Sequence, residues 1–343
     1  MNTILTIIAA IIIFAILIFV HELGHFIAAK LSDIKVHEFA IGMGPKLFSF
    51  GKGETKYSLR LLPIGGYCAL EGENSLSSDS RAFINKHPLK RLVVLASGAF
   101  MNILLGFVLL IVVTSTMPQI PTNQISYVEE NSAAYISGIQ EGDIITKVNS
   151  ASTPIYKSLR FELSDTNGNE TEFTLIRKGE KIKLNVTPEF KDGTYIFGIT
   201  FAQKDNNIFT TLKQSFHETV FYSRVIIETF FDLLRGKLGV EQMSGPIGIV
   251  SEIGGAVEQA AQTGYVGFMN LILLAVLLTV NLGVFNLLPI PALDGGRILF
   301  VLIELIRRKP LPPEKEGLVH TIGLIALLLI SVFIAYLDIT KFF

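Results

Sequence analysis

The segment ILTIIAAIIIFAILIFVHELGH, residues 4–25, carries no charge before His21 and ends in His21-Glu22-Leu23-Gly24-His25. A run of this length is a membrane-span pattern, because about 20 helical residues cross a ~30 Å hydrocarbon core. It lacks a basic leader and a small-residue cleavage site and runs straight into the charged motif, so it reads as a retained helix. Helix positions four apart share a face, which lets His21 and His25 reach one metal ion. Glu22, one step round, can address a water at that ion. Ionisable groups at membrane depth are costly, and a functional role is the default expectation for them.

Half of the 343 residues are hydrophobic, and the mean hydropathy is +0.50, well above the habit of a soluble domain. Four segments qualify as spans, roughly 4–27, 92–117, 266–289 and 318–337. The fold class expected is therefore a multi-pass α-helical membrane protein with about four transmembrane helices. Lys30, Lys35, Lys46, Lys52, Lys56, Arg60, Arg81, Lys86, Lys90 and Arg91 lie between the first two spans. Arg297, Arg307, Arg308, Lys309 and Lys315 lie between the last two. Basic short loops stay cytoplasmic, which puts residues 118–265 and both termini outside; Lys341 argues weakly the other way. The net charge of −1 without a long basic stripe excludes nucleic acid as an expected partner. The single Cys68 rules out an internal disulfide and a cysteine-based zinc site, and reads as a small buried hydrophobe.

The third span runs into Asn281-Leu-Gly-Val-Phe-Asn286-Leu-Leu-Pro289-Ile-Pro291-Ala-Leu-Asp294-Gly295-Gly296-Arg297. Two prolines followed by two glycines cannot sit in a smooth helix, so the chain must bend where Asp294 appears. A hydrolytic zinc site needs a third protein ligand and an open fourth position. Asp294 is the best carboxylate at that depth. Taken alone, Asp-Gly is an ordinary turn pair; beside the histidine pair, the ligand reading prevails.

H-E-x-x-H is a zinc-peptidase signature. Placed in a first transmembrane helix, and joined by Asn-x-x-Pro-x-Pro-x-Leu-Asp-Gly at 286–295, it resembles the site-2 protease family of intramembrane zinc metalloproteases. The likeness covers nearly the whole chain and is nearest to the bacterial branch that acts on anti-sigma factors and signal-peptide remnants. It implies Zn2+ held by His21, His25 and Asp294, with Glu22 as catalytic base. It also implies substrate contacts at Asn286 and Asn281, although intramembrane asparagines also serve simply to join helices. The family often carries Gly-Pro-x-x-Asn in the second span. Here the stretch is Gly98-Ala99-Phe100-Met101-Asn102, with Ala99 in place of proline. Asn102 can still pack against the catalytic region, whereas Ser97 and Gly98 are expected there mainly as small residues for close helix approach.

Residues 125–149, with Gly138-Ile-Gln-Glu-Gly142-Asp143 followed by apolar alternation, resemble a bacterial PDZ domain; Ser132-Ala133-Ala134 stands where relatives have Ser-Pro-Ala. Strands are expected at 171–177 and 181–187 around Lys178-Gly179-Glu180. The organisation read from the chain is a protease core in two parts, 1–117 and 265–343. Between them lie an inserted extracytoplasmic PDZ domain of α+β type at 118–203 and an amphipathic connector at 204–264, helical over 208–235. A PDZ groove takes an extended peptide as an added strand; the competing role is a screen on ectodomain size.

Tyr57-Ser-Leu59-Arg-Leu61-Leu-Pro63-Ile-Gly65-Gly66-Tyr67 alternates apolar residues before a Gly-Gly turn. A substrate helix must unwind to be cut, and its freed amides need a protein partner inside lipid. The expectation is a membrane-associated β-hairpin whose edge, through Tyr57, Leu59 and Leu61, pairs with that substrate; an ordinary cytoplasmic hairpin is the alternative. Gly42-Met-Gly44 lacks the third glycine of a dinucleotide loop, and His37, His87, His217 and His320 have no ligand-spaced partner. The expected partners are the lipid bilayer and single-pass membrane proteins already trimmed by another protease. The expected location is the bacterial cytoplasmic membrane, with the active site toward the cytoplasm. Two other classes compete: a non-enzymatic membrane PDZ receptor or scaffold, and an ion transporter. A structural zinc would need a fourth ligand that the sequence does not offer, and no inverted repeat supports a transporter.

Overall fold

A computed structural model describes residues 3–51, 53–73, 75–309 and 311–342. Lys52, one of the basic residues counted for orientation, lies outside them. The chain forms two compact units, one made of residues 1–109 and 222–343 and the other of residues 110–221.

The first unit begins with α1 (Thr3–Leu31), followed by β1 (Val36–Phe50), β2 (Lys56–Leu70) and α2 (Pro88–Ser115). α1 is helical because an apolar segment in lipid must satisfy its backbone within itself. Its buried positions include Ala10, Gly24, Ala28 and Ala29, the small residues that let membrane helices approach closely. At the crossing with α2, a Cβ on Gly24 would stand 2.7 Å from the Ser97 carbonyl carbon. Ala28, Ala29, Ile34, Val36, Phe83, Val94, Leu95 and Val301 form the buried cluster beneath this crossing.

β1 and β2 are more than a simple hairpin. Phe39 pairs with Cys68 on one side and Tyr57 on the other, and Ile41 pairs with Gly66 and Leu59. Lys46, Phe48 and Phe50 pair with Arg60, Leu59 and Tyr57. The segments therefore lie in the order 66–70, 36–41, 56–60, 46–50, with 36–41 and 56–59 running parallel. Glu38 ties three of them together. It accepts hydrogen bonds from Ser58 and from Arg60 Nη2 at 3.0 Å, and Arg60 also binds the Tyr67 hydroxyl.

The second unit contains β3 (Gln119–Val128), α3 (Ala133–Ile136), β4 (Ile144–Val148), β5 (Ala151–Ser152), α4 (Tyr156–Ser164), β6 (Thr171–Arg177), β7 (Glu180–Val186), β8 (Glu189–Lys191), β9 (Thr194–Ile196) and β10 (Ile199–Asp205). The main sheet runs β10-β3-β4-β6-β7, with β5 added to β4. Lys178 and Gly179 both have positive φ, the conformation a two-residue hairpin turn demands. Ile125, Ile145, Leu159, Phe173, Leu175 and Val186 close the core. Asp143 is fully buried, and Arg177 reaches both its carboxylate oxygens at 2.8 Å.

α5 (Ile208–Leu234) leads to α6 (Pro246–Thr263), α7 (Tyr265–Leu287), α8 (Asp294–Arg307) and α9 (Pro313–Phe342). Among the described residues, four helices are long and apolar enough to cross a membrane: Thr3–Leu31, Pro88–Ser115, Tyr265–Leu287 and Glu314–Lys341. They lie where the hydropathy pattern expects spans, and the chain is a membrane protein with β elements. Ser244-Gly-Pro-Ile-Gly-Ile249 carries no chemistry of its own, but it docks on α9. Asp338 accepts from the Gly245 N–H at 3.2 Å and the Gly248 N–H at 2.8 Å. This caps α6 with a side chain from another helix.

Candidate metal centre

α1 presents His21 and His25 one turn apart. α8 brings Asp294 to them as its first helical residue, where the helix dipole favours a carboxylate. Asp294 Oδ2 lies 3.2 Å from His21 Nε2 and 3.3 Å from His25 Nε2, and the two nitrogens are 3.2 Å apart. All three ligand atoms fall within 4.8 Å of one another.

The donor set fits a metal. His25 Nδ1 lies 2.8 Å from the Val94 carbonyl. A carbonyl only accepts, so Nδ1 carries the proton and Nε2 presents a lone pair to the cluster. Asp294 Oδ2 is buried with no polar partner but the two imidazole nitrogens, and neither makes a well-formed hydrogen bond to it. Converging lone pairs repel unless a cation lies between them, and zinc takes His nitrogen and Asp oxygen.

Local backbone explains how Asp294 arrives. α7 stops at Leu287, and α8 starts at Asp294 after the two prolines. The intervening chain folds back over the first turn of α8. A Cβ on Gly295 would collide with the Leu288 carbonyl oxygen, and one on Gly296 would stand 2.6 Å from that of Ile290. Only glycine fits at either position. Ala292 has φ +77°, and its N–H donates to His320 Nδ1 of α9 at 2.9 Å. His320, which has no metal-ligand spacing in sequence, thus acts as a latch on the loop that delivers Asp294.

A cavity of about 540 Å³ opens over the cluster, lined by His21, Glu22, His25 and Asp294, by Tyr67–Leu70 of β2, and by Glu73 and Arg297. Glu73 and Arg297 form an ion pair. Gly66 packs on α1, where a Cβ would stand 3.2 Å from Glu22 Cγ. Cys68 lines the same cavity. Burial, then the charges of Glu22 and Glu73, push its thiol up to about 12, so it stands protonated at neutral pH.

The residues expected to hold substrate are dispersed. Tyr57 and Leu59 belong to an interior strand whose backbone is paired on both sides, so they cannot offer a free edge. Leu61 has an exposed side chain, and none of the three lines the metal cavity. The edge facing that cavity is 66–70, which alternation alone could not distinguish from 57–61. Asn281 lines a separate, mostly apolar cavity of about 460 Å³ between α5, α6 and α7, and Asn286 lines neither cavity.

Gly98 of α2 is closer to the cluster than a small residue for helix approach implied, and Asn102 meets a candidate ligand directly. A Cβ on Gly98 would stand 2.8 Å from two atoms of the His21 ring and closer still to His25 Nε2. Asn102 Nδ2 lies 3.3 Å from His21 Nδ1. The signal in the sequence is the four-residue spacing of Val94, Gly98 and Asn102, which puts all three on one helix face.

A family model described as peptidase family M50 matches residues 9–330. A protein of Clostridium acetobutylicum, one of several relatives bearing zinc metalloprotease names, is 37% identical over 338 residues, covering 97% of each chain. Zinc metalloprotease RasP of Shouchella clausii is 32% identical over 430 aligned positions, covering 100% of both. Regulator of sigma-W protease RasP of Bacillus subtilis is 29% identical over 426, covering 98% of this chain and 99% of its own. A match over this length, to a chain whose two motifs converge on one cavity, means that the protein belongs to peptidase family M50, the site-2 protease family of membrane-embedded zinc peptidases.

Proposed function

We propose that this zinc metalloendopeptidase cuts single-pass membrane proteins within or near their transmembrane helix, after another protease has trimmed them. The observation that carries the reading is the convergence of three ligand atoms within 4.8 Å in a cavity shared with Glu22 and a free strand edge. His21, His25 and Asp294 would hold the zinc, which when bound polarises the scissile carbonyl and acidifies water to near neutrality. Glu22 takes the proton of the attacking water on its carboxylate and delivers it to the leaving amine nitrogen. The backbone of Gly66–Leu70 receives the unwound substrate as an added strand, satisfying amides that lipid cannot. Asn281 and Asn286 contact the substrate helix along α7, Asn281 from a cavity whose apolar lining suits such a helix.

The second unit is read as a PDZ domain outside the membrane. Its edge strand β10 flanks a cavity of about 340 Å³ lined by Arg160 and Leu163 of α4 and by Thr194–Phe201, where an extended peptide can add to the sheet. The domain plan is a protease core at 1–117 and 265–343, a PDZ domain at 118–203 and a connector at 204–264. The basic short loops place the metal site toward the cytoplasm of a bacterial inner membrane. Anti-sigma factors are a fitting substrate class, given that a relative is named a regulator of sigma-W protease.

The test is cleavage of a purified single-pass substrate with a shortened ectodomain. Glu22→Gln is expected to abolish turnover while retaining zinc, and a chelator to abolish it until zinc is returned. Normal cleavage by the variant would remove Glu22 from the mechanism.

A further inference from the structure

Asn102 is fully buried, and its amide is only half used. Nδ2 lies 3.3 Å from His21 Nδ1, while Oδ1 is a buried acceptor with no donor. An unmatched amide oxygen is costly in such surroundings. The backbone and Cβ from which the amide turns are also held in place. Thr279 of α7 donates to the Asn102 backbone carbonyl at 3.0 Å, and a Cβ on Gly283 would stand 3.3 Å from Asn102 Cβ.

The chemistry of His21 explains the arrangement. With Nε2 protonated, that N–H faces Asp294 Oδ2 at 3.2 Å, and Nδ1 accepts from the Asn102 amide as it stands. Ligation through Nε2 requires the other tautomer, with the proton on Nδ1 and an acceptor opposite it. A half-turn of the amide about its Cβ–Cγ bond exchanges Nδ2 for the unused Oδ1. The neighbouring ligand needs no such adaptability, because His25 Nδ1 meets the fixed Val94 carbonyl.

We propose that Asn102 is a positioning residue that selects the tautomer of His21, its amide accepting from Nδ1–H when Nε2 ligates the metal and donating to Nδ1 otherwise. The inference rests on the zinc-site reading above. It assigns the asparagine of the second span a role toward the metal beyond joining helices.

Zinc affinity of the full chain in detergent, measured by competition with a chromophoric chelator, tests it together with the absorption spectrum of the cobalt-substituted protein. Asn102→Leu keeps the branched shape, with bulkier methyl ends, and removes both hydrogen-bonding atoms. It is expected to weaken zinc binding by about 10-fold or more and to alter the cobalt bands, with the helical circular dichroism unchanged. Asn102→Asp, an acceptor only, is expected to bind zinc at least as tightly as wild type. A leucine variant within about twofold of wild type, where second-shell losses run 10–100-fold, overturns the proposal, as does an aspartate variant as weak as the leucine one. Should the leucine variant not fold, the aspartate variant decides alone, by holding zinc or losing it. Wild type that takes up no zinc refutes the zinc-site reading itself; wild type that binds, with unaffected variants, refutes only the role of Asn102.

Discussion

Gly98→Ala adds one methyl group where α2 crosses the two histidines. The added carbon would sit 2.8 Å from two His21 ring atoms, and nine in ten real Cβ contacts are wider than 3.4 Å. The ring or the helix must therefore give by about 0.6 Å, and by more at His25 Nε2, whereas metal–ligand distances tolerate only about 0.2 Å. Ring movement is checked on the far side, because Val94 and Asn102 hold both Nδ1 atoms. The displacement thus falls on the ligand nitrogens. Zinc affinity is expected to drop about 10–100-fold, the scale of losing an orienting partner, and cleavage about 100-fold, the scale of a near-ångström misplacement. Gly106→Ala is the control. It lies two turns along the same helix, and its Cβ would press on the Val280 side chain of α7, away from the metal. Chelator competition on both variants, beside thermal unfolding, separates the effects. Unchanged zinc binding in Gly98→Ala, or an equal loss in Gly106→Ala, refutes the argument.

Three other perturbations have defined outcomes. Proline placed in turn at residues 66–70 is expected to cut cleavage at alternate positions while sparing zinc, since alternate amides face the free edge; uniform activity would exclude substrate pairing there. His320→Phe removes the acceptor for the Ala292 N–H, an orphaned donor costing about 1–3 kcal/mol; a lower unfolding midpoint with looser zinc retention is expected, and unchanged values would dismiss the latch. Burial pushes the Glu38 carboxyl up, but hydrogen bonds from Ser58, Tyr67 and Arg60 outweigh it and hold the group at about 2, from an ordinary 4.5. A depressed folded-state pKa contributes stability above the unfolded value and loses it as pH falls through the folded one. Wild type should therefore lose stability between pH 4.5 and 2 more steeply than Glu38→Gln, as followed by acid unfolding in detergent.

Features written into local sequence were legible in advance. His21 and His25 share a helix face whatever the tertiary structure, and the Pro-Gly punctuation before Arg297 permits nothing but a bend. The spans follow from the length of uncharged runs. What escaped depends on partners distant in the chain. Tyr57 and Leu59 alternate as an edge strand would, yet 36–41 claims one side of them and 46–50 the other, and alternation carries no record of how many neighbours a strand has. Asn102 and His320 meet residues 81 and 28 positions away, and no periodicity encodes such pairings. Gly98 was legible as a small residue, but what it makes room for was not.

The His320 latch also bears on when the enzyme becomes competent. Two of the three proposed zinc ligands lie on α1, and the third follows a loop pinned by α9. Gly323 of α9 lies against Pro291, one residue before the amide that His320 accepts from, so α9 seats that loop at two adjacent points. A chain in which α9 has not packed has its histidine pair on one helix but lacks these two contacts on the loop before Asp294. Assembly of the three side chains is thereby made conditional on the packing of α9, a helix that contributes none of them.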